Sequence, residues 1–185
     1  MKRLLVLIMT LAMFAPLDAI SQTFSLNPAN TTIQFRVKNM GIMNVKGSFE
    51  KFTGTVDMDE ADIAKSRVDV SIETASISTG IDKRDNHLRS ADFFDSVKYP
   101  TMKFAVTGIE KAGLDKLLLT GNLTIKGVTK PVVLAVVAQA KESRNDFVRA
   151  ASATATINRQ DFGVSYGAVV GDEVFITITT QLVKQ

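Results

Sequence analysis

Apolar and polar positions alternate along most of this chain, and the alternation is clearest from Leu117 to Ala140. Leu117, Leu119, Leu123 and Ile125 fall on one face with Gly121 among them, while Thr120, Asn122, Thr124 and Lys126 fall on the other. A period of two marks a strand with one face turned from water. Gly127 to Pro131 then punctuates the pattern, because glycine admits unusual dihedrals and proline cannot donate to a central ladder. The return strand places Val132, Leu134, Val136, Ala138 and Ala140 on one face. Val133, Ala135 and Val137 fill the other, so this region is apolar on both sides.

The same period recurs elsewhere. Ile33, Phe35 and Val37 alternate with polar neighbours; Val68, Val70 and Ile72 form another run, which Ala75 to Ser78 can extend. Met102, Phe104 and Val106 begin a further strand, and Val148 to Ile157 and Glu173 to Val183 give the last two. Val45 to Met58 is extended as well, but Phe49 and Phe52 stand three apart, which breaks the alternation and predicts a bulge or bend. Only Ile81 to Phe94 reads as helical: it lacks a β-branched run, and Ile81, Leu88 and Ala91 can share one face. About eight antiparallel strands, one short helix near residues 81–94, and no repeat or linker predict a single all-β domain, a barrel or a sandwich. Ala151, Ala153 and Ala155 lie on one face of their strand. That stripe either leaves room inside a barrel for a small ligand or faces bulky neighbours in a filled core.

The N-terminus departs from this pattern. Lys2 and Arg3 precede an apolar stretch from Leu4 to Ala15, followed by a smaller, more polar segment to Gln22. That is the layout of a cleaved secretory leader, residues 1–21, with Ala19 as a second cleavage point and residues 22–185 as the mature domain. The mature protein is therefore expected to be soluble and exported. Composition narrows the chemistry. There is no cysteine, which excludes disulfides, thiolate catalysis and cysteine-based metal sites, and a single histidine, His87, which excludes a histidine-rich one. The 22 basic and 19 acidic residues are dispersed without a basic block, so nucleic acid is not an expected partner. Asp57 to Asp62 has the look of a calcium loop but lacks the required glycine and glutamate, and reads as a solvated turn. Gly163 to Gly167 spells G-x-S-x-G without the strand-to-helix context that a nucleophile elbow needs.

Three segments together resemble the YceI-like family: RDNHLRSADFFDSVKYPTMKFAVTGIE (Arg84 to Glu110), LTGNLTIKGVTKPVVL (Leu119 to Leu134) and INRQDFGV (Ile157 to Val164). Order and spacing agree from about residue 23 to residue 183. The resemblance implies a lipocalin-like antiparallel β-barrel of about eight strands. It implies an elongated pocket for a polyisoprenoid chain or similar amphiphile, such as an isoprenoid quinone. It also implies a periplasmic or secreted bacterial protein with no established catalytic activity, with roles in transport, storage or stress response, and with no cofactor beyond such a lipid. The reading allows transient membrane contact and a homodimer. Two alternatives stand beside it: a filled structural barrel of the cell envelope, and an enzyme acting on a lipid-like substrate.

An isoprenoid tail needs an aliphatic and aromatic lining, with polar groups at one end for the head. The candidate lining residues are Phe35, Val37, Val70, Ile72, Phe104, Leu119, Leu123, Leu134, Val136, Ala153, Ala155, Ile176 and Ile178, the apolar faces of their strands. Each could equally serve as simple core. Phe93, Phe94 and Phe162 are candidates for a gate at the barrel mouth or for a plug at one end. Met40, Ile42 and Met43 could line an entrance or form an apolar loop anchor. Arg84, Asp85 and His87, with Asp92 and Asp95 behind them, are expected to form a structural network of helix capping, an Arg–Asp pair and a satisfied histidine. Arg159 and Asp161 are expected to pair beside the bend at Gly163.

Overall fold

The computed structural model describes residues 21–139 and 148–184. Residues 1–20 of the expected leader, and Ala140, lie outside the described residues. The described residues form one antiparallel sheet of eleven strands. They are β1 (Ser21–Leu26), β2 (Thr31–Asn39), β3 (Met43–Phe49), β4 (Phe52–Asp59), β5 (Arg67–Glu73) and β6 (Ile77–Ser78). After a short helix α1 (Asp82–Arg89) come β7 (Thr101–Lys111), β8 (Lys116–Ile125), β9 (Val128–Ala138), β10 (Val148–Asn158) and β11 (Val170–Lys184).

Eleven strands replace the expected eight, for a physical reason. β1 and β2 follow each other along one edge of β11, so they are two halves of one kinked run. β3 and β4 are likewise halves of their hairpin partner, since β1 pairs with β4 and β2 with β3. β5 and β6 form a third broken run, against β4 and β3 respectively. Each break separates apolar residues an odd number of positions apart: Leu26 and Ile33, Phe49 and Phe52, Ile72 and Ile77. On an unbroken strand one member of each pair would face solvent. The breaks reset the phase; Leu26, Ile33, Phe52, Ile72 and Ile77 are all buried and Phe49 packs on the core.

Backbone and side-chain bonds hold the breaks. Asn30 accepts from the Asn27 N–H at 3.0 Å and donates to the Ser25 carbonyl at 2.8 Å. The Glu50 N–H donates to the Ser76 carbonyl at 3.1 Å, and the Glu73 N–H to the Lys51 carbonyl at 2.9 Å. The three kinked runs and β7 to β11 pair in sequence, and β1 reaches back to β11 through Phe24–Lys184 and Ser25–Val183. The sheet thereby curls onto itself as a barrel.

The helix is shorter than its apolar pattern implied, and polar groups position it. Ile81 and Ala91 are exposed and Leu88 is half-buried. The buried member is Asp85, at 4% exposure. Its carboxylate accepts from both the N–H and the hydroxyl of Thr79. Arg84 donates to the same hydroxyl at 2.6 Å and to the Thr79 carbonyl at 3.0 Å. The expected Arg–Asp pair is therefore bridged by Thr79, and Ile81 at the N-cap contributes no side-chain bond. Arg89 ties the helix to β6 through the Ala75 and Ile77 carbonyls, at 2.7 and 2.8 Å.

One glycine is fixed by packing. A Cβ on Gly121 would stand 2.5 Å from Phe104 Cζ and 2.8 Å from the Ala105 carbonyl oxygen. The absent side chain lets the Phe104 ring lie across β8. Gly121→Ala is expected to lower the unfolding free energy by about 1–3 kcal/mol through overpacking. Urea denaturation checks this, and an unchanged midpoint would mean the ring moves aside freely.

An apolar cavity as the candidate ligand site

The inward faces of the strands enclose a cavity of about 660 Å³. Register places its lining. Leu119 sits between Ile109 and Leu134 on neighbouring strands, and Ala153 between Val136 and Ile178. Ile178 in turn faces Ile33, and Ile176 faces Phe35. Val70, Ile72, Phe104 and Leu123 complete the middle of the wall. Eleven of the sixteen sequence candidates therefore line this space: Phe35, Val70, Ile72, Phe104, Leu119, Leu123, Leu134, Val136, Ala153, Ile176 and Ile178.

The other five lie elsewhere. Val37 sits beyond the cavity, paired with Val45 and Val174 near the end of β2. Ala155 faces Ile176 but packs against the core rather than onto the space. Phe93 and Phe162 are buried, at 8% and 2% exposure, in the cluster that also holds Val164. Phe94 packs against that cluster, edge-on to Phe49 with ring centroids 6.3 Å apart. These three phenylalanines are packed as a plug of core side chains.

Arg159 holds the plug's loop. It is 7% exposed and donates to five backbone carbonyls: Val164 (2.6 Å), Tyr166 (2.8 Å), Val170 (2.9 Å), Gly171 (3.1 Å) and Gly167 (3.2 Å). Its carboxylate partner is Asp172 at 3.1 Å, in place of the expected Asp161. Gly163 caps the short 3₁₀ turn Arg159–Phe162 with φ of 72°, a conformation that glycine adopts without steric cost.

The opposite end is the mouth. There the lining turns charged, with Glu60 ion-paired to Arg149 and with Lys111 and Asp115 beside them. Met58, Leu114 and Leu182 supply apolar surface at the same level. Within the barrel, the polar contacts include a 2.7 Å hydroxyl bond between Thr31 and Thr180. The arrangement is an apolar tube with a polar rim. It can desolvate a long hydrocarbon and leave a polar head in water.

Sequence reasoning missed the rim and part of the wall. Ile33 was legible from alternation, but Ile109 was not, because a bulge between Val106 and Gly108 resets the phase of β7 before it. Phe49 and Phe52 were visible, but the break between them hid their common face. Glu60, Lys111, Asp115 and Arg149 carry no local signal, because only closure of the barrel brings them together. His87 Nε2 is 2.8 Å from Asp92, and its ring stands edge-on to Phe93 and Tyr166. Ser165 follows a 3₁₀ turn on an exposed stretch, without a nucleophile elbow. In the acidic turn, Asp59 accepts from the Ala61 and Asp62 N–H groups and Asp62 caps Ala64. No metal-binding cluster of His, Asp or Glu occurs among the described residues.

The YceI-like domain profile matches residues 24–182, nearly the whole barrel. The chain belongs to the YceI-like family. It is 39% identical over 135 residues to protein YceI of Escherichia coli O6:H1, covering 72% of this chain and 70% of that one. It is similar to the crystal structure of Burkholderia cenocepacia BcnA, with a TM-score of 0.77, 27% identity, and coverage of 84% of this chain and 98% of that one. A polyisoprenoid binding domain from Saccharophagus degradans, implicated in plant cell wall breakdown, shares the fold, with a TM-score of 0.69 and 14% identity. That match spans 90% of this chain and all of the other.

Proposed function

We propose that this YceI-like protein binds an isoprenoid lipid or similar amphiphile, tail in the barrel and head at the rim. The observation that carries the reading is the 660 Å³ cavity, apolar along its length and charged only at its mouth. Its volume falls in the range of ligand pockets, roughly 300–1,000 Å³. Each 100 Å² of tail surface removed from water contributes about 2.5 kcal/mol before entropic costs. The polyisoprenoid binding domain of the same fold supports an isoprenoid over a fatty acyl chain. The leader-like N-terminus supports export, to the periplasm or beyond, where such a carrier would move, store or shield its lipid. Binding, not turnover, is the proposed activity.

The test is native mass spectrometry of the mature protein from its own envelope fraction, followed by organic extraction. A stoichiometric isoprenoid is expected. An empty spectrum, with no uptake of added polyprenyl compounds, would replace this reading with a filled structural barrel.

A further inference from the structure

The outer wall carries a second concavity. Across β10, β11, β2 and β3, reaching the end of β6, the bent sheet forms a groove of about 840 Å³. Its lining includes Arg36, Lys46, Ser48, Thr154, Thr156 and Thr177, and no carboxylate. Arg36 is held in place: its guanidinium lies 4.4 Å over the Phe175 ring and donates to Asn44 at 3.2 Å. From Gln34 to Phe49 the β2–β3 hairpin carries Arg36, Lys38 and Lys46 without one acidic residue. The adjoining β11 bulge does carry Asp172 and Glu173, but Asp172 is engaged by Arg159 and Gln160.

The tip of this hairpin is apolar. Met40, Ile42 and Met43 are 66%, 88% and 58% exposed. Val169, 56% exposed, lies beside them, its carbonyl accepting from the Met40 N–H at 2.8 Å. Three register steps separate the Arg36–Lys46 pair from the Asn39–Met43 pair. At strand spacing that is about 10 Å. An interfacial element buries its apolar face by about 5–10 Å below the head groups. The tip can therefore reach the acyl boundary while Arg36 and Lys46 stand level with phosphates.

We infer that this hairpin and groove dock the protein on an anionic phospholipid surface. The tip enters the bilayer interface, and Arg36 and Lys46 receive head-group phosphates among the groove's hydroxyls. The inference does not rest on the isoprenoid reading. The hairpin tip is at the plugged end, so docking leaves the mouth turned to water.

The test is co-sedimentation of the lipid-extracted protein with phosphatidylcholine vesicles, with and without phosphatidylglycerol. The parent is expected to bind the anionic vesicles. Ile42→Asp should weaken that binding at least tenfold. Arg36→Gln with Lys46→Gln should weaken it about thirtyfold, acting on anionic vesicles alone. Val133→Asp, exposed on β9 and outside both the cavity and the groove, should leave vesicle binding unchanged, and thermal unfolding verifies that each variant is folded. A parent that ignores anionic vesicles, or an Ile42→Asp variant that binds them equally, overturns the inference. So does inorganic phosphate binding parent and variant alike without vesicle binding, which would make the groove a small-anion site. Loss of self-association in Ile42→Asp, with no vesicle binding by the parent, also overturns it. A protein that holds an isoprenoid yet ignores vesicles refutes docking alone.

Discussion

Arg159→Ala is expected to lower the unfolding free energy by about 3–5 kcal/mol, with a fall of about 10 °C in melting temperature. The single guanidinium serves five carbonyls of one loop and the Asp172 carboxylate, at 7% exposure. Without it those carbonyls lose their donors in a site that water reaches poorly, and each unmet acceptor carries its own penalty. Arg159→Lys should recover only part of the loss. An ammonium keeps the charge but has three donors on one atom and cannot span the ring of acceptors. Urea denaturation of the three proteins checks the prediction, and an alanine variant within 1 kcal/mol of the parent, below the range expected for a broken buried pair, would mean that the loop is held by its own packing.

The second large effect separates two neighbouring alanines. Ala153→Phe is expected to weaken binding of a polyprenyl probe about tenfold to a hundredfold while the barrel stays folded. Ala153 lines the cavity between Val136 and Ile178, and a benzyl group there displaces about 100 Å² of ligand contact. Ala155→Phe should behave differently. Its side chain packs on the core opposite Ile176, so enlargement costs about 1–3 kcal/mol of stability and leaves the tube open. A fluorescent polyprenyl titration beside thermal unfolding distinguishes the two. Equal loss of affinity in both variants would show that the cavity extends past Ile176.

Those two alanines also mark how far the sequence could be read. Alternation places Ala153 and Ala155 on one face, and they do share it. Depth along the strand, which decides whether a side chain meets space or a plug, is set by what closes the barrel end. That closure is made by Phe93, Phe162 and Val164 from two distant loops, and no local pattern predicts their meeting. The same limit hid the charged rim, assembled from the ends of four different strands. The barrel itself was legible because period two survives over several residues in most runs, on either side of breaks and bulges. Eight runs became eleven strands only where an odd spacing such as Phe49–Phe52 had to be absorbed by a break. The helix failed in the other direction: its apolar stripe suggested an amphipathic element, yet buried Asp85 and the bonds of Arg84 and Arg89 are what seat it. Polar anchoring of this kind leaves no periodic trace.

Two links of the sheet are short, and one of them lies in the plugged half, where β3 meets β6 through two residue pairs. β1 meets β11 through two residue pairs, whereas β4 to β5 has six, β7 to β8 eight and β10 to β11 eleven. The β1 to β11 link closes the mouth half, far from the Arg159 loop. The kinks after Leu26, Phe49 and Glu73 separate that half from the plugged half in three of the runs. The barrel is therefore laced by a ladder of only two residue pairs in each half, while its longest ladder, β10 to β11, runs from mouth to plug.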